Sequence, residues 1–177
     1  YLSLHELFFA SGGVGVSESL VFAGGISLFP GASEQLVYLA PKATVYNKNN
    51  RSFSVGALLG TVTGESDYGG ILYGVGTFGP EDQAITIGSG FLFGGGDVVS
   101  TPIIMIGAEK QLGSRTKFIT ENYFMPGVSA NGVLSLGIRI IGDRLTTDVA
   151  ALTHTAVLNE GGFPLFPWVS FSYNFGH

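Results

Sequence analysis

Three charged residues lie within stretches of the sequence that otherwise have the composition of β-strands. They are Glu121, Arg139 and Asp148. The turn at 142–144 sets Arg139 about opposite Asp148, and the loop at 126–131 brings Glu121 near Arg139. Because side chains alternate between the two faces of a strand, all three are expected on the face that carries small and polar residues. Isolated charges are costly in a low-dielectric interior, whereas paired charges are tolerated. The arrangement predicts either a charged constriction that selects solutes or a plug network that only stabilises the fold.

A fourth charged residue is expected in the same interior network. Lys42 belongs to a strand interpreted as 35–46, in which Tyr46 has the same parity. Because alternate residues of a strand share a face, both side chains are expected to point inward.

Signals for catalysis and for metal binding are weak. The histidines are His5, His154 and His177, and the chain has no cysteine. His154, at the start of a long loop, could act as a general base in a barrel hydrolase, but no partner is fixed by the sequence. The glycine-rich stretch 94–97 lacks the following helix and Lys-Ser/Thr pair of a phosphate-binding loop. We therefore expect no enzyme activity, no cofactor and no metal site.

Two further sets of residues concern a membrane surface. The long loops carry acidic residues and no lysine or arginine, which would attract cations and the divalent ions that bridge lipopolysaccharide. The alternative is a set of solvated loop tips. These acidic residues are Glu34, Glu65, Asp67, Asp97 and Glu160. Aromatic residues near strand ends are expected to form an interfacial girdle. These aromatics are Tyr68, Tyr123, Phe166 and Trp168.

The composition favours an all-β protein whose outer surface does not face water. Of 177 residues, 28 are glycine and only 12% are charged, about half the usual share of ~25%. Low charge with 45% apolar residues excludes disorder, and the absence of a glycine period of three excludes collagen. A net charge of −5 without a basic patch argues against nucleic-acid binding. No apolar stretch approaches the ~20 residues of a transmembrane helix.

Turn signals divide the chain into about eleven strands of a single domain, 1–177. Short polar turns recur about every thirty residues, and longer glycine- and proline-rich connections lie between them. Short turns at one end and long loops at the other are typical of outer-membrane barrels. The pattern predicts an up-and-down antiparallel transmembrane β-barrel.

Alternation along the strands separates large apolar side chains from small or polar ones. The large ones are Ile85, Ile87, Phe91 and Phe93 in one strand, Ile71, Tyr73, Val75 and Thr77 in another, Leu134, Leu136, Ile138 and Ile140 in a third, and Val169, Phe171, Tyr173 and Phe175 in the last. We interpret the bulky face as meeting lipid and the small face as lining a narrow lumen. The alternative is a soluble sandwich with an apolar partner surface.

The strand count leads to a separate expectation about the start of the chain. Eleven strands, the first at 2–16, would place Tyr1 at the long-loop end and His177 at the short-turn end. Bacterial single-chain barrels have an even number of strands. The count therefore predicts that one N-terminal strand is missing and that the intact barrel has twelve. The alternative is that one of the eleven segments holds two strands.

Several stretches together resemble an uncharacterised family of bacterial outer-membrane β-barrels. They are 27–31 (SLFPG), 38–42 (YLAPK), 71–79 (ILYGVGTFG), 120–126 (TENYFMP) and 167–169 (PWV). The resemblance covers the chain from about residue 20 onward, and it implies a fold, a location and a further N-terminal strand, but no reaction. Val169, Phe171, Tyr173 and Phe175 also resemble the signal that the barrel-assembly machinery reads, although Gly176 and His177 follow the last aromatic residue.

The sequence thus predicts a bacterial outer-membrane β-barrel that forms a narrow pore or small-solute channel with a charged lumen constriction. The alternative is a closed barrel that acts as a scaffold or subunit of a larger cell-envelope complex. The expected partners are membrane lipid and lipopolysaccharide, the barrel-assembly machinery and, in the alternative, an envelope protein.

Overall fold

A computed structural model describes residues 1–5, 9–127, 132–157 and 165–175. The strands are β1 (Leu2–His5), β2 (Phe9–Ser17), β3 (Leu20–Ser27), β4 (Leu36–Lys48), β5 (Arg51–Val62), β6 (Tyr68–Phe78), β7 (Gln83–Gly94), β8 (Asp97–Val98), β9 (Ile103–Gly113), β10 (Thr116–Phe124), β11 (Gly132–Ile141), β12 (Leu145–His154) and β13 (Phe166–Tyr173). Within these ranges, no helix is long and apolar enough to cross a membrane.

Twelve of these strands form a closed ring in which each strand is antiparallel to its neighbours. Consecutive strands pair around the ring, β7 pairs with β9, and β1 pairs with β13 to close it. The thirteenth, β8, has two residues and pairs only with the end of β7. The expected up-and-down antiparallel barrel of twelve strands is confirmed.

The predicted origin of the twelfth strand was wrong, because the segment 2–16 holds two strands rather than one. The chain reverses between His5 and Phe9, and β1 and β2 pair with each other. The residues between them, Glu6, Leu7 and Phe8, include none of the residue types that signal a turn. Leu2 pairs with Tyr173, so Tyr1 lies at the short-turn end and not at the long-loop end.

The turns differ between the two ends of the barrel, as the sequence predicted. Several turns at one end have two residues, and in one of them Asn49 and Asn50 have φ angles of 55° and 58°, which are typical of a type I′ hairpin. Asparagine tolerates this left-handed backbone better than most residues. The connections at the other end are longer, for example 28–35 between β3 and β4.

The lipid-facing and lumen-facing sides of β7, β11 and β13 agree with the sequence interpretation. Ile85 and Ile87 are 51% and 52% exposed on the outside, whereas Ala84 on the opposite face is 7% exposed. Leu136 and Ile140 of β11 are likewise exposed, and Ser170 of β13 is buried on the inner side. An apolar outside with a small, polar inside is the arrangement of a membrane barrel.

The predicted face of β6 was wrong. Thr77 pairs with Thr86 on the inner face and their hydroxyls hydrogen-bond at 2.9 Å, so Tyr73 and the other odd-numbered residues of β6 point inward. Tyr73 fits because glycines, Gly56 and Gly90, lie opposite it on both neighbouring strands. A Cβ on Gly56 would come within 2.5 Å of the Tyr73 ring. Side-chain size alone therefore predicted the wrong face for β6, because a large inward side chain can occupy the space that a paired glycine leaves free.

The predicted shared orientation of Lys42 and Tyr46 was also wrong. Lys42 pairs with the inward-facing Gly56, but the register shifts between Thr44 and Tyr46. A β-bulge of this kind adds one residue and reverses the alternation beyond it. Tyr46 therefore packs outside against Phe53, with ring centroids 5.8 Å apart.

Close strand contact at Gly70 gives a testable consequence for stability. A Cβ at Gly70 would overlap the backbone carbonyl oxygen of Leu58 and approach the Phe93 ring at 3.0 Å. We expect Gly70→Ala to lower the free energy of unfolding by about 1–3 kcal/mol, because β5 and β6 must separate to admit the methyl group. Urea titration in lipid vesicles, followed by fluorescence of Trp168, the single tryptophan of the chain, measures the change.

Gly113 provides the matched control for this substitution. A Cβ at Gly113, which ends β9, would meet no atom within 4 Å. Gly113→Ala should therefore change the free energy of unfolding by less than about 0.5 kcal/mol. Equal unfolding midpoints for the two variants would contradict the close contact at Gly70.

Candidate functional site

The barrel encloses two cavities that share part of their lining. One, of about 760 Å³, is lined by Glu109, Glu121, Arg139 and Asp148 among others, and we call it the charged chamber. The other, of about 1150 Å³, is lined mainly by apolar side chains, and we call it the apolar vestibule. The apolar lining includes Leu36, Leu58, Ile71 and Leu92. Loop residues Glu65 and Asp67 also line the vestibule, which places it at the long-loop end.

Tyr123 and Trp168 line both cavities. Tyr123 lies on β10 and pairs with Val133, whereas Trp168 lies on β13 and pairs with Ala150. We call these two side chains the aromatic junction. A molecule that moved from the vestibule into the charged chamber would have to pass beside them.

The hairpin β11–β12 brings Arg139 and Asp148 together. The turn at 142–144 sets the register in which they are direct partners on the inner face. The guanidinium donates through Nε to Asp148 Oδ1 at 2.7 Å and through Nη2 to Oδ2 at 2.8 Å. A bidentate pair fixes the position as well as the charge of both groups. The Asp148 side chain is 17% exposed and that of Arg139 is 38% exposed, so the carboxylate is shielded from bulk water whereas the guanidinium partly reaches the lumen.

A second ion pair extends this row, and the sequence reasoning had not placed it inside the barrel. Lys117 pairs in register with Arg139, and its Nζ lies 3.0 Å from Glu109 Oε1. The Lys117 side chain is 14% exposed. Lys117 has the same parity as Glu121 on β10, so the parity argument would have placed Lys117 inside, whereas Glu109 reaches the same face through a register shift between Thr116 and Lys117. Four neighbouring strands thus carry Glu109, Lys117, Arg139 and Asp148, in the order acid, base, base, acid.

Glu121 lines the charged chamber, but its hydrogen bonds differ from those expected. The Tyr123 hydroxyl, two residues away on the same face, donates to Glu121 Oε1. Lys117, not Glu121, is the register partner of Arg139. Glu121 acts on Arg139 as an electrostatic neighbour, as Glu109 does.

Lys42 lies on the inner face of a distant strand. The ring order separates β4 from β11 by six strands in twelve, so Lys42 faces the charged row from the opposite wall. The structure therefore does not bring Lys42 into the row with Arg139.

The predicted aromatic girdle was wrong for Tyr123 and Trp168, because their parity directs both side chains into the lumen. Phe166 has the same parity as Trp168 and pairs with Leu152, which lines the charged chamber. Tyr68 lies at the mouth of the vestibule and is 68% exposed.

An aromatic cluster that the sequence reasoning missed lies outside, at the short-turn end. Phe53 packs against Tyr46 at 5.8 Å and against Phe78 at 5.6 Å between ring centroids. All three are about 40% exposed, as expected of side chains at a membrane interface. The sequence reasoning missed this cluster because it did not anticipate the bulge in β4 and because it assigned the side chains of β6 to the wrong faces.

The acidic loop residues fall into two groups. Glu65 and Asp67 line the vestibule, whereas Glu34 and Asp97 are exposed on long connections and line neither cavity. Glu160 lies outside the described residues. In the described ranges, no group of three His, Cys, Asp or Glu residues is placed to hold a metal ion.

The histidines give little support to hydrolysis. His154 Nδ1 accepts a hydrogen bond from the Ala156 backbone at 3.3 Å, which fixes the imidazole to its own loop. The side chain of His5 and the whole of His177 lie outside the described part of the chain. The stretch 94–97 is a tight turn, with positive φ at Gly95 and Gly96, that leads into β8.

A closed twelve-stranded antiparallel meander with an apolar exterior is the architecture of an outer-membrane β-barrel. Solved structures with this fold include a KdgM porin, with a TM-score of 0.75, 8% identity, and coverage of 99% of this chain and 96% of that chain. A KdgM porin in complex with disordered oligogalacturonate matches with a TM-score of 0.76 at the same identity and coverage. At 8% identity the likeness establishes the fold. No protein-family model and no curated protein sequence matches the chain.

Proposed function

We propose that this protein is a passive channel of the bacterial outer membrane for small, polar, neutral or cationic solutes. The observation that carries the proposal is that two lumen cavities, one opening toward the long loops, share the aromatic junction of Tyr123 and Trp168. The apolar exterior, with Leu72 at 57% and Leu136 at 59% exposure, supports a membrane location. These features support a channel rather than an enzyme.

The charged chamber supports the choice of solute. Glu109, Glu121 and Asp148 contribute three negative charges, and Lys117 and Arg139 contribute two positive charges. Lys42 on the opposite wall adds a third positive charge, which balances the three carboxylates. Glu65 and Asp67 at the mouth then leave the passage with a small net negative charge, which disfavours anions in a narrow, low-dielectric passage. One neighbour of the same fold holds an oligogalacturonate, a polyanion. Because the chamber lacks a positive excess, we do not propose that ligand here.

Vesicle swelling tests the proposal with solutes of graded size and charge. Vesicles that hold the folded protein should swell in glycine or arabinose, because these molecules fit a narrow lumen, and should not swell in sodium trigalacturonate. The control is vesicles with Arg115→Ala, which removes an arginine that is 67% exposed at a turn and paired with Asp143. Faster entry of trigalacturonate than of arabinose would overturn the proposed solute class.

A closed barrel is the second candidate, and the charge pairing favours it. Both Arg139 and Lys117 are neutralised by carboxylates at 2.7 and 3.0 Å. A network of this kind can seal a lumen and stabilise the wall. In that case the protein would be a scaffold or subunit of an envelope complex. Vesicles that hold the folded protein and swell in none of the solutes would support this candidate against the channel.

The partners proposed for the barrel follow from its surfaces. Lipid would cover the apolar exterior, and divalent ions would bridge lipopolysaccharide to the acidic loop residues. The outward-facing Val169, Phe171 and Tyr173, with Phe175 at 66% exposure beyond them, offer the aromatic strand end that the barrel-assembly machinery would read.

A further inference from the structure

The apolar vestibule has a lining that a simple aqueous mouth does not require. Leu36, Leu58, Ile71 and Leu92 contribute to its walls, and Tyr38 and Tyr68 add aromatic surface. Small-molecule sites are typically concave and mostly apolar, with a few placed polar groups. Water in contact with such walls is easily displaced by an apolar ligand.

The charges of the vestibule determine which apolar ligand fits. Glu65 and Asp67 line it, and none of its lining residues is lysine or arginine. The Thr61 hydroxyl donates to the Asp67 backbone carbonyl at 2.8 Å, which anchors the acidic segment to β5. An anionic amphiphile would meet two carboxylates without a counter-charge, whereas a cationic one would be neutralised.

Aromatic faces provide a second attraction for a cation. Trp168 and Tyr123 form the floor of the vestibule, and Tyr38 and Tyr68 belong to its walls. Organic ammonium groups are attracted to the faces of tryptophan and tyrosine, and the attraction is strongest where water is excluded.

We propose that the apolar vestibule is a binding site for amphipathic organic cations, molecules with an apolar body and one ammonium group. The apolar body lies against the leucine-lined wall, and the ammonium group lies toward Glu65 and Asp67. This proposal deepens the proposed channel by naming a ligand class for its outer half, although binding does not require that the lumen conduct.

Benzyltrimethylammonium is a suitable probe because it combines a ring with a quaternary ammonium. The protein is folded into phosphatidylcholine vesicles, whose net neutral surface limits unspecific attraction of the cation, and Trp168 fluorescence is followed during titration. We expect a saturable change with benzyltrimethylammonium. Tetramethylammonium, which lacks the apolar body, and phenylmethanesulfonate, which reverses the charge, should each bind about tenfold more weakly or not measurably.

Paired variants assign the site. Glu65→Gln with Asp67→Asn should weaken binding of benzyltrimethylammonium about fivefold to tenfold. The matched control, Glu34→Gln with Asp97→Asn, removes the same charge from loops outside both cavities and should leave the affinity unchanged.

Three results would overturn the proposal: no saturable signal, equal binding of phenylmethanesulfonate, or equal effects of the two double variants. Swelling of the same vesicles in arabinose reports the channel separately. Vesicles that swell but do not bind the probe refute the site alone, and vesicles that bind the probe but do not swell refute the channel alone.

Discussion

Replacing Arg139 with alanine is expected to shift the permeability ratio about fivefold toward cations. The substitution leaves Asp148 without its bidentate partner in a chamber that also holds Glu109 and Glu121. A unit charge about 8 Å from a permeating ion contributes about 2 kcal/mol at an effective dielectric constant of about 20. Screening by salt reduces this to about 1 kcal/mol, which corresponds to about fivefold. Reversal potentials in a potassium chloride gradient measure the ratio.

Two variants separate this effect from a general loss of positive charge. Arg115→Ala removes an equal charge from an exposed turn, outside both cavities, and should leave the reversal potential unchanged. Arg139→Ala combined with Asp148→Asn restores the net charge of the row and should return the ratio toward the wild-type value. If Arg139→Ala lowers stability and leaves selectivity unchanged, the pair is a structural network and not a filter.

Replacing Trp168 with alanine is expected to raise the single-channel conductance severalfold. The indole lines both cavities, and conductance through a narrow lumen depends most on its smallest cross-section. Ala150, the partner of Trp168 on β12, is small, and its own partner on β11 is Gly137, so the opening would not be refilled from that side. Single-channel recordings of the refolded variant in a planar bilayer measure the change.

Phe171→Ala is the matched control because it removes an aromatic ring from the same strand on the opposite face. Phe171 is 39% exposed on the outside, so its loss should affect stability but not conductance. Equal conductances for the two variants would show that the aromatic junction is not the narrowest point.

The sequence was sufficient for most of the strands and for the approximate position of the central ion pair. Counting across the short polar turn at 142–144 set Arg139 within one residue of Asp148, and the structure pairs the two directly because Gly142 still pairs with Leu145. The faces of β7 and β11 followed from alternation because each has clearly larger apolar side chains on one side. These features depend on residues near in sequence, which a periodicity of two can relate.

The sequence was not sufficient where the decisive neighbour lies on another strand. Tyr73 faces inward because Gly56 of β5 leaves room for its ring. The sequence of β6 alone does not show that a glycine lies opposite Tyr73. A bulge after Thr44 reversed the alternation of β4 without a glycine or proline to mark it. The reversal after His5 likewise lacks a turn residue, so two strands were counted as one.

The aromatic junction and the vestibule depend on closure of the ring, which brings β10, β13 and β6 around one lumen. Tyr123 and Trp168 are 45 residues apart in sequence. Their position near strand ends suggested the membrane interface. The register of their strands within the closed ring instead places both side chains on the inner face. Only the complete register of the barrel distinguishes the two positions.

Planar-bilayer conductance of the purified, folded protein tests the central claim that the lumen passes solutes. We expect steady single-channel steps with weak cation selectivity, since Glu65 and Asp67 at the mouth give the passage a small net negative charge. A protein that inserts demonstrably into the bilayer and yields no steps would contradict the channel. It would show that the ion pairs and the aromatic junction close the lumen.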